Sequence, residues 1–143
     1  MLSNTCKYAI RAVVYLSVFA SEEKKIGIKE ISGELKIPSP FLGKILQSLA
    51  KHKLLHSIKG PNGGFCLGKP AEEMALMDII EIVDGTDIFD TCLIRTSKCS
   101  DAEPCGIHES IASVRAEIRN FFNNQTINDL ATEFKRTQGK IRI

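Results

Sequence analysis

Residues 39–67 read SPFLGKILQSLAKHKLLHSIKGPNGGFCL, and the fold turns on how this stretch is parsed. Ser39 is a candidate N-cap, and Pro40 sits where a helix first tolerates proline. Leu42, Ile45, Leu46 and Leu49 recur at helical spacing and predict one buried face on a helix reaching about Lys51. The opposite face then carries Gly43, Lys44, Gln47, Ser48 and Lys51. A glycine inside a helix costs about 1 kcal/mol relative to alanine; close approach of DNA, or of a neighbouring helix, would account for Gly43. Leu54–Ile58 and Phe65–Leu67 read as two strands around the turn Gly60-Pro61-Asn62-Gly63-Gly64, a hairpin directly after the helix. A phosphate-cradling nucleotide loop would need strand, loop, helix order and a Lys-Ser/Thr ending, which this turn lacks.

Upstream, Ile28, Ile31 and Leu35 mark a shorter helix that stops before Pro38, with a four-residue turn between the two. Two short helices, the second basic and polar outside, followed by a hairpin, predict a winged helix-turn-helix whose second helix enters the major groove. Lys44, Gln47 and Ser48 are the candidates for base edges, with Ser39 at the start of the same helix. Lys51, Lys59 and Asn62 are the candidates for backbone or minor-groove contact, and Lys69 adds charge beyond the return strand. His52 and His56 fall in the same basic neighbourhood, solvated or near phosphate. Further upstream, Lys25–Ile28 is an extended link. Tyr8, Ala9, Ala12, Val13, Leu16, Phe19 and Ala20 predict an amphipathic first helix over residues 5–20, capped by Ser3 or Asn4. Its apolar run is broken by Ser17 and lacks a cleavage pattern, so it reads as core, not as a signal peptide or membrane span.

The formal charge of +2 hides an asymmetry. Residues 1–70 hold eleven Lys or Arg against four acids, a net of +7; residues 71–143 hold eight against thirteen, a net of −5. The basic half is an electrostatic footprint for a polyanion. Hydrophobic residues at 43% and charged residues at 25% exclude disordered and low-complexity classes, and 143 residues suffice for a core without disulfides.

Downstream of the hairpin, Leu76, Ile79, Ile80 and Val83 mark a short helix closed at Asp84-Gly85. Residues 92–108 follow as CLIRTSKCSDAEPCGIH, holding three of the five cysteines and one of the three histidines. Cys92, Cys99, Cys105 and His108 form a four-donor set of the soft and borderline type that holds zinc or an iron-sulfur centre. With no export signal, the expected compartment is the reducing cytoplasm, where cysteines serve more often as ligands than as disulfides. Cys66 reads as a small strand residue and Cys6 as a structural residue of the first helix, with a role as extra ligand the lesser alternative. Beyond the loop, Ile107, Ile111, Val114, Ile118 and Phe121 step by four, three, four and three. That seam wants a partner helix and predicts a symmetric homodimer. Thr126 and Asp129 outline a capping box for a short last helix with Ile127, Leu130 and Phe134.

Taken in order, these motifs resemble the Rrf family of bacterial winged-helix transcription regulators, in its cysteine-containing iron-sulfur branch. The resemblance runs from Lys7-Tyr8-Ala9-Ile10 through Ser57-Ile58-Lys59-Gly60-Pro61-Asn62-Gly63-Gly64-Phe65 to Thr126-Ile127-Asn128-Asp129-Leu130. It implies a dimer on palindromic double-stranded operator DNA, and a loop whose cluster alters DNA binding. Cys92, Cys99 and Cys105 then look like the cluster thiolates and His108 like the fourth ligand, as in the [2Fe-2S] members, with [4Fe-4S] the other option. Some members take a carboxylate from the first helix instead; here the first acid is Glu22, which favours His108. Where family members that regulate iron-sulfur assembly have a glutamate after the aromatic-leucine pair, this chain has Gly43 after Phe41-Leu42, so their operator preference does not carry over.

The expected architecture is therefore mainly α with a small β wing: a winged helix-turn-helix over residues 1–85 (wing about 54–69) and a cluster-binding loop over 86–106. A long dimerisation helix and short C-terminal helix follow over 107–134, with a basic tail over 135–143. The expected function is a transcription regulator controlled by cluster status, nitric oxide or redox state. A winged-helix repressor with a zinc-bound or bare cysteine loop is the alternative, and an iron-sulfur electron carrier a more distant one. Enzyme chemistry is not expected, since no nucleotide loop, nucleophile elbow or paired catalytic carboxylates occur.

Overall fold

In the computed structural model, which describes residues 1–137, helix α1 spans Asn4–Phe19. Ser3 starts it, its hydroxyl accepting the Cys6 N–H at 3.0 Å. The Ser3 N–H donates to Asp84 Oδ2 at 2.8 Å, which ties the start of α1 to the end of a later helix. Cys6, Ala9, Ala12, Val13 and Leu16 are fully buried, so α1 is the axis of the core.

Helix α2, Ile28–Leu35, stops where Lys36 takes a left-handed conformation (φ 55°). Helix α3 then runs Ser39–Lys51. Ser39 is its first helical residue and not its cap: Pro38 holds the cap position, without a side-chain bond. Pro40 still lies in the first turn, where a missing N–H costs nothing. Leu42, Ile45, Leu46 and Leu49 are buried as the periodicity predicts. Gly43 departs from the expected outer face; it is buried, and a Cβ placed there would meet Ile28 Cδ1 at 3.4 Å. Gly43 thus lies at the contact of α2 with α3, where one methyl group still has room.

The hairpin pairs β1, Leu55–Ile58, with β2, Gly64–Leu67, in antiparallel register with His56 opposite Cys66. Ile26 adds a third edge: its N–H donates to the Phe65 carbonyl at 3.0 Å, and the Phe65 N–H returns to the Ile26 carbonyl at 2.8 Å. Gly64 permits this approach, since with φ +151° a Cβ there would lie 2.5 Å from the Ile26 backbone. Lys69 corrects an expectation. Its ammonium pairs with Asp78 Oδ2 at 2.7 Å, so its charge is directed to the next helix and not to the wing tip.

Helix α4, Leu76–Val83, ends ahead of Gly85 at φ +75°. Residues 86–106 were expected to be all loop, but Asp87–Asp90 forms a one-turn helix, α5, that sinks Phe89 into the core. Helix α6 spans His108–Asn124 and buries none of its residues fully. Helix α7, Ile127–Arg136, opens with the predicted box: Asp129 N–H donates to Thr126 Oγ1 at 3.1 Å, and Thr126 N–H to Asp129 Oδ2 at 2.8 Å. Backbone bonds from Ile127 N–H to Met74 O (2.8 Å) and Leu76 N–H to Gln125 O (2.9 Å) return α7 to the core beside α1, where Ile127 is fully buried. The protein is thus mainly helical with one small sheet, a winged helix-turn-helix followed by a long helix. Residues 138–143 of the expected tail lie outside the described residues. Among those described, no helix is long and apolar enough to cross a membrane.

Candidate nucleic-acid interface and cysteine centre

Burying the apolar face of α3 leaves Lys44, Gln47 and Lys51 exposed on the other side, with Ser39 and Ser48 half-buried beside them. Lys59 and Asn62 are exposed at the wing tip. Between helix and wing runs a groove of about 820 Å³ whose walls include Gln47, Ser57, Lys59, Pro61 and, from α2, Lys29. Lys29 reaches this groove without having been expected there. Phe41, 38% exposed in the first turn of α3, stands edge-on to Tyr8 of α1 with centroids 5.8 Å apart. Its position next to Leu42 was the available signal, but an aromatic at helical spacing reads as core.

In the cysteine loop the backbone doubles back. Thr91 bridges Lys98, Cys92 N–H donates to Ser97 O at 3.0 Å, and Cys99 N–H donates to Asp90 O at 2.7 Å. Two of the four donor side chains meet directly. Cys99 Sγ lies 3.3 Å from His108 Nδ1, at the first residue of α6. The other ring nitrogen, Nε2, is 2.8 Å from Asp101 Oδ1. A carboxylate there selects the Nε2–H tautomer and leaves the Nδ1 lone pair facing the thiol, the arrangement that orients ligand histidines in metal sites. Cys92, 8% exposed, receives the N–H groups of Arg95 and Ile94, which draw its thiol below the usual range; a hydrogen bond from Cys105 and the Arg95 charge act the same way against burial. Among the described residues, no group of three or more His, Cys, Asp or Glu side chains is already arranged to hold a metal ion. The chain thus brings Cys99 and His108 into direct contact and carries Cys92 and Cys105 on the same loop, without a closed quartet among the described residues.

All five cysteines are free. Cys6 is fully buried, and burial together with the nearby Asp84 carboxylate pushes its thiol up to about 12. It belongs to the core and not to the donor set. Cys66, on β2, is buried and shifted upward for the same first reason. By chemistry, the residues able to hold a metal or cluster are Cys92, Cys99, Cys105 and His108: three soft sulfurs and one borderline nitrogen.

Ile107, just ahead of α6, and Val114 and Phe121 on it are 39%, 46% and 55% exposed, while Ile111 and Ile118 are half-buried. Val114, Ile111 and Ile118 join Phe89, Leu93 and Met1 around an apolar groove of about 590 Å³.

A model of the Rrf2 family, described as an iron-dependent transcriptional regulator, matches residues 2–133. A helix-turn-helix-type transcriptional regulator of Aquifex aeolicus is 35% identical over 132 residues, covering 91% of this chain and 90% of the relative. The regulator IscR of Pectobacterium atrosepticum is 30% identical over 129 residues, covering 90% and 77%. Among solved structures, the global cysteine regulator CymR of B. subtilis superposes with a TM-score of 0.77 at 21% identity, over 93% of this chain and 97% of that one. The IscR of T. potens follows at 0.73 and 20% identity, over 96% and 90%. Those two likenesses establish the winged-helix fold, while the family match and the closer relatives establish a DNA-binding regulator and not an enzyme. The chain belongs to the Rrf2 family of transcriptional regulators.

Proposed function

We propose that this regulator binds palindromic operator DNA as a homodimer, and that an iron-sulfur cluster held by Cys92, Cys99, Cys105 and His108 controls that binding. The observation that carries the reading is the Cys99–His108 contact at 3.3 Å, backed by Asp101 at 2.8 Å, with Cys92 brought back beside Cys99 by the doubled-back loop that also carries Cys105. Three thiolates and an imidazole suit a [2Fe-2S] centre, and the family's iron dependence supports iron over zinc. Such a group, when bound, supplies one-electron redox chemistry at a potential raised by its nitrogen ligand.

The protein's own part is mechanical. The loop joins α5, anchored in the core by Phe89, to α6, whose exposed Val114 and Phe121 form the proposed dimer seam with Ile107 at its start. Ordering the loop sets the angle of α6, and α6 sets the separation of the two α3 helices, which must match about one turn of DNA. Lys44, Gln47 and Ser48 address base edges, Ser39 meets DNA at the start of the same helix, and Lys51, Lys59 and Asn62 address the backbone or minor groove.

The test is the absorption spectrum, iron, sulfide and zinc content of protein purified without oxygen, followed by DNA binding of loaded and stripped forms. The expected result is visible charge-transfer absorption, comparable iron and sulfide, loss of both in Cys99→Ala, and a DNA affinity that differs between the two forms. A colourless protein with one zinc per chain after anaerobic reconstitution overturns the cluster in favour of a zinc-bound loop. Equal affinities of both forms overturn the control.

A further inference from the structure

The hairpin from Asp90 to Cys99 carries two of the donors, while Cys105 and His108 sit at the entrance to α6. What aligns the two halves lies on α6 itself. Arg115 donates a hydrogen bond to the Thr91 carbonyl, one residue before Cys92. Arg119 donates to Asp90 Oδ1 at 2.9 Å, and its guanidinium stands over the Phe89 ring, 5.3 Å from the centroid. His108, Arg115 and Arg119 are spaced by seven and four, so they share one face of the helix. The face that presents His108 to Cys99 therefore also grips the residues flanking Cys92. Asp90 serves both sides: its carbonyl holds the Cys99 N–H at 2.7 Å and its carboxylate holds Arg119. Elsewhere the hairpin meets the second half of the loop through Arg95 and Glu103 at 3.3 Å, an exposed pair at the tip.

We propose that Arg115 and Arg119 are positioning residues, a two-point clamp that presets the cysteine hairpin against α6 so that Cys92 and Cys99 face Cys105 and His108 before a metal or cluster arrives. The inference rests on the reading of those four side chains as ligands. Neither arginine touches the donors; each acts through Thr91 or Asp90. Preorganisation of this kind is a known contribution to affinity, and loss of partners that orient ligands weakens metal binding by about 10- to 100-fold.

The test uses cobalt(II) as the probe, titrated anaerobically into the reduced whole chain, with thiolate-to-cobalt absorption and chelator competition as readouts. Arg115→Gln/Arg119→Gln is expected to bind cobalt about tenfold or more weakly than the wild type, with unchanged far-ultraviolet circular dichroism. Asp90→Asn and Arg119→Gln should each weaken binding, their combination should lose no more than either alone, and Arg119→Lys should recover most of the loss. On the metal-free chain, hydrogen exchange at the Cys92 and Cys99 amides should quicken in the double arginine variant. If the wild type binds cobalt through thiolates and the double variant matches it within twofold, or if exchange is unchanged, the clamp is wrong while the ligand set stands. If the wild type takes up neither cobalt with thiolate bands nor a cluster, the ligand reading fails and the clamp falls with it.

Discussion

Gly43→Ala should stabilise the protein by about 1 kcal/mol without altering its DNA affinity. Gly43 lies inside α3, where glycine costs about 1 kcal/mol against alanine, partly through the freedom it restores to the unfolded chain. Whether that gain is realised depends on room for one methyl group. A Cβ at position 43 meets Ile28 Cδ1 at 3.4 Å, an ordinary van der Waals distance, with nothing else within 4 Å, so the methyl fits against α2. For a chain of this size 1 kcal/mol corresponds to a rise in Tm of about 3 °C. Thermal and urea unfolding at one fixed protein concentration measures the stability, and fluorescence anisotropy on DNA selected from a random pool measures binding. Destabilisation by 1 kcal/mol or more would refute the packing argument, since Ile28 would then have no freedom to yield. A tenfold loss of affinity in a stabilised variant would refute the orientation of α3, because it would place the backbone of residue 43 against DNA.

Four other outcomes test separate parts of the account. Lys51→Ala should flatten the salt dependence of binding by about one unit of log–log slope on every sequence, whereas Gln47→Ala should relax preference at one base pair; equal losses on selected and random DNA in both would abolish that division of labour. Asp129, held below the usual carboxylate range by the Thr126 N–H and hydroxyl, takes its proton later in the folded state than in the unfolded one. Its contribution to α7 is complete above about pH 4 and is lost as pH falls through the lower folded value, so acid unfolding followed by circular dichroism should be less steep there in Asp129→Asn; identical curves would contradict it. In the native metal-free chain, maleimide should label Cys99 and Cys105 well before Cys6, whose buried thiol is raised to about 12; early labelling of Cys6, read by mass spectrometry, would show that α1 opens. Val114→Glu and Phe121→Glu, at positions 46% and 55% exposed, should convert a dimer to a folded monomer by native mass measurement; a dimer surviving both would move the interface off α6.

How far the sequence foretells this architecture depends on the length over which a pattern repeats. Helix α1 offers four turns of apolar periodicity and α3 three, and both emerge within a residue of their predicted limits. The Gly60–Gly64 turn identifies the hairpin because few other chemistries turn so tightly. Helix α5 has four residues, too few to display a period. The docking of α7 beside α1 was not legible either: an amphipathic face announces that it needs a partner without naming one, and Ile127 could have met any apolar surface. The Ile26–Phe65 pairing and the contact behind Gly43 are long-range in the same sense.

The candidate centre follows the same rule at smaller scale. Donor identity is local and was readable; donor pairing is not, because it depends on the reversal at Asp90–Cys99 and on a helix that begins only at His108. That dependence also shapes what the loop can regulate. One end hangs from Phe89, which is 5% exposed and fixed in the core; the other continues into α6, which has no fully buried residue and is held by partial contacts and arginine bonds. A free-energy change in the loop meets a rigid wall on the α5 side and a compliant one on the α6 side. Under the proposed control it would therefore be expressed as a displacement of α6 and not as unfolding of the winged helix. Coupling of about 1–3 kcal/mol is enough to redistribute a helix held by surface contacts, and is small beside the burial of the Leu, Ile and Met residues around α1. The proposed control can thus change the spacing of two DNA-reading helices while each winged helix keeps its own structure.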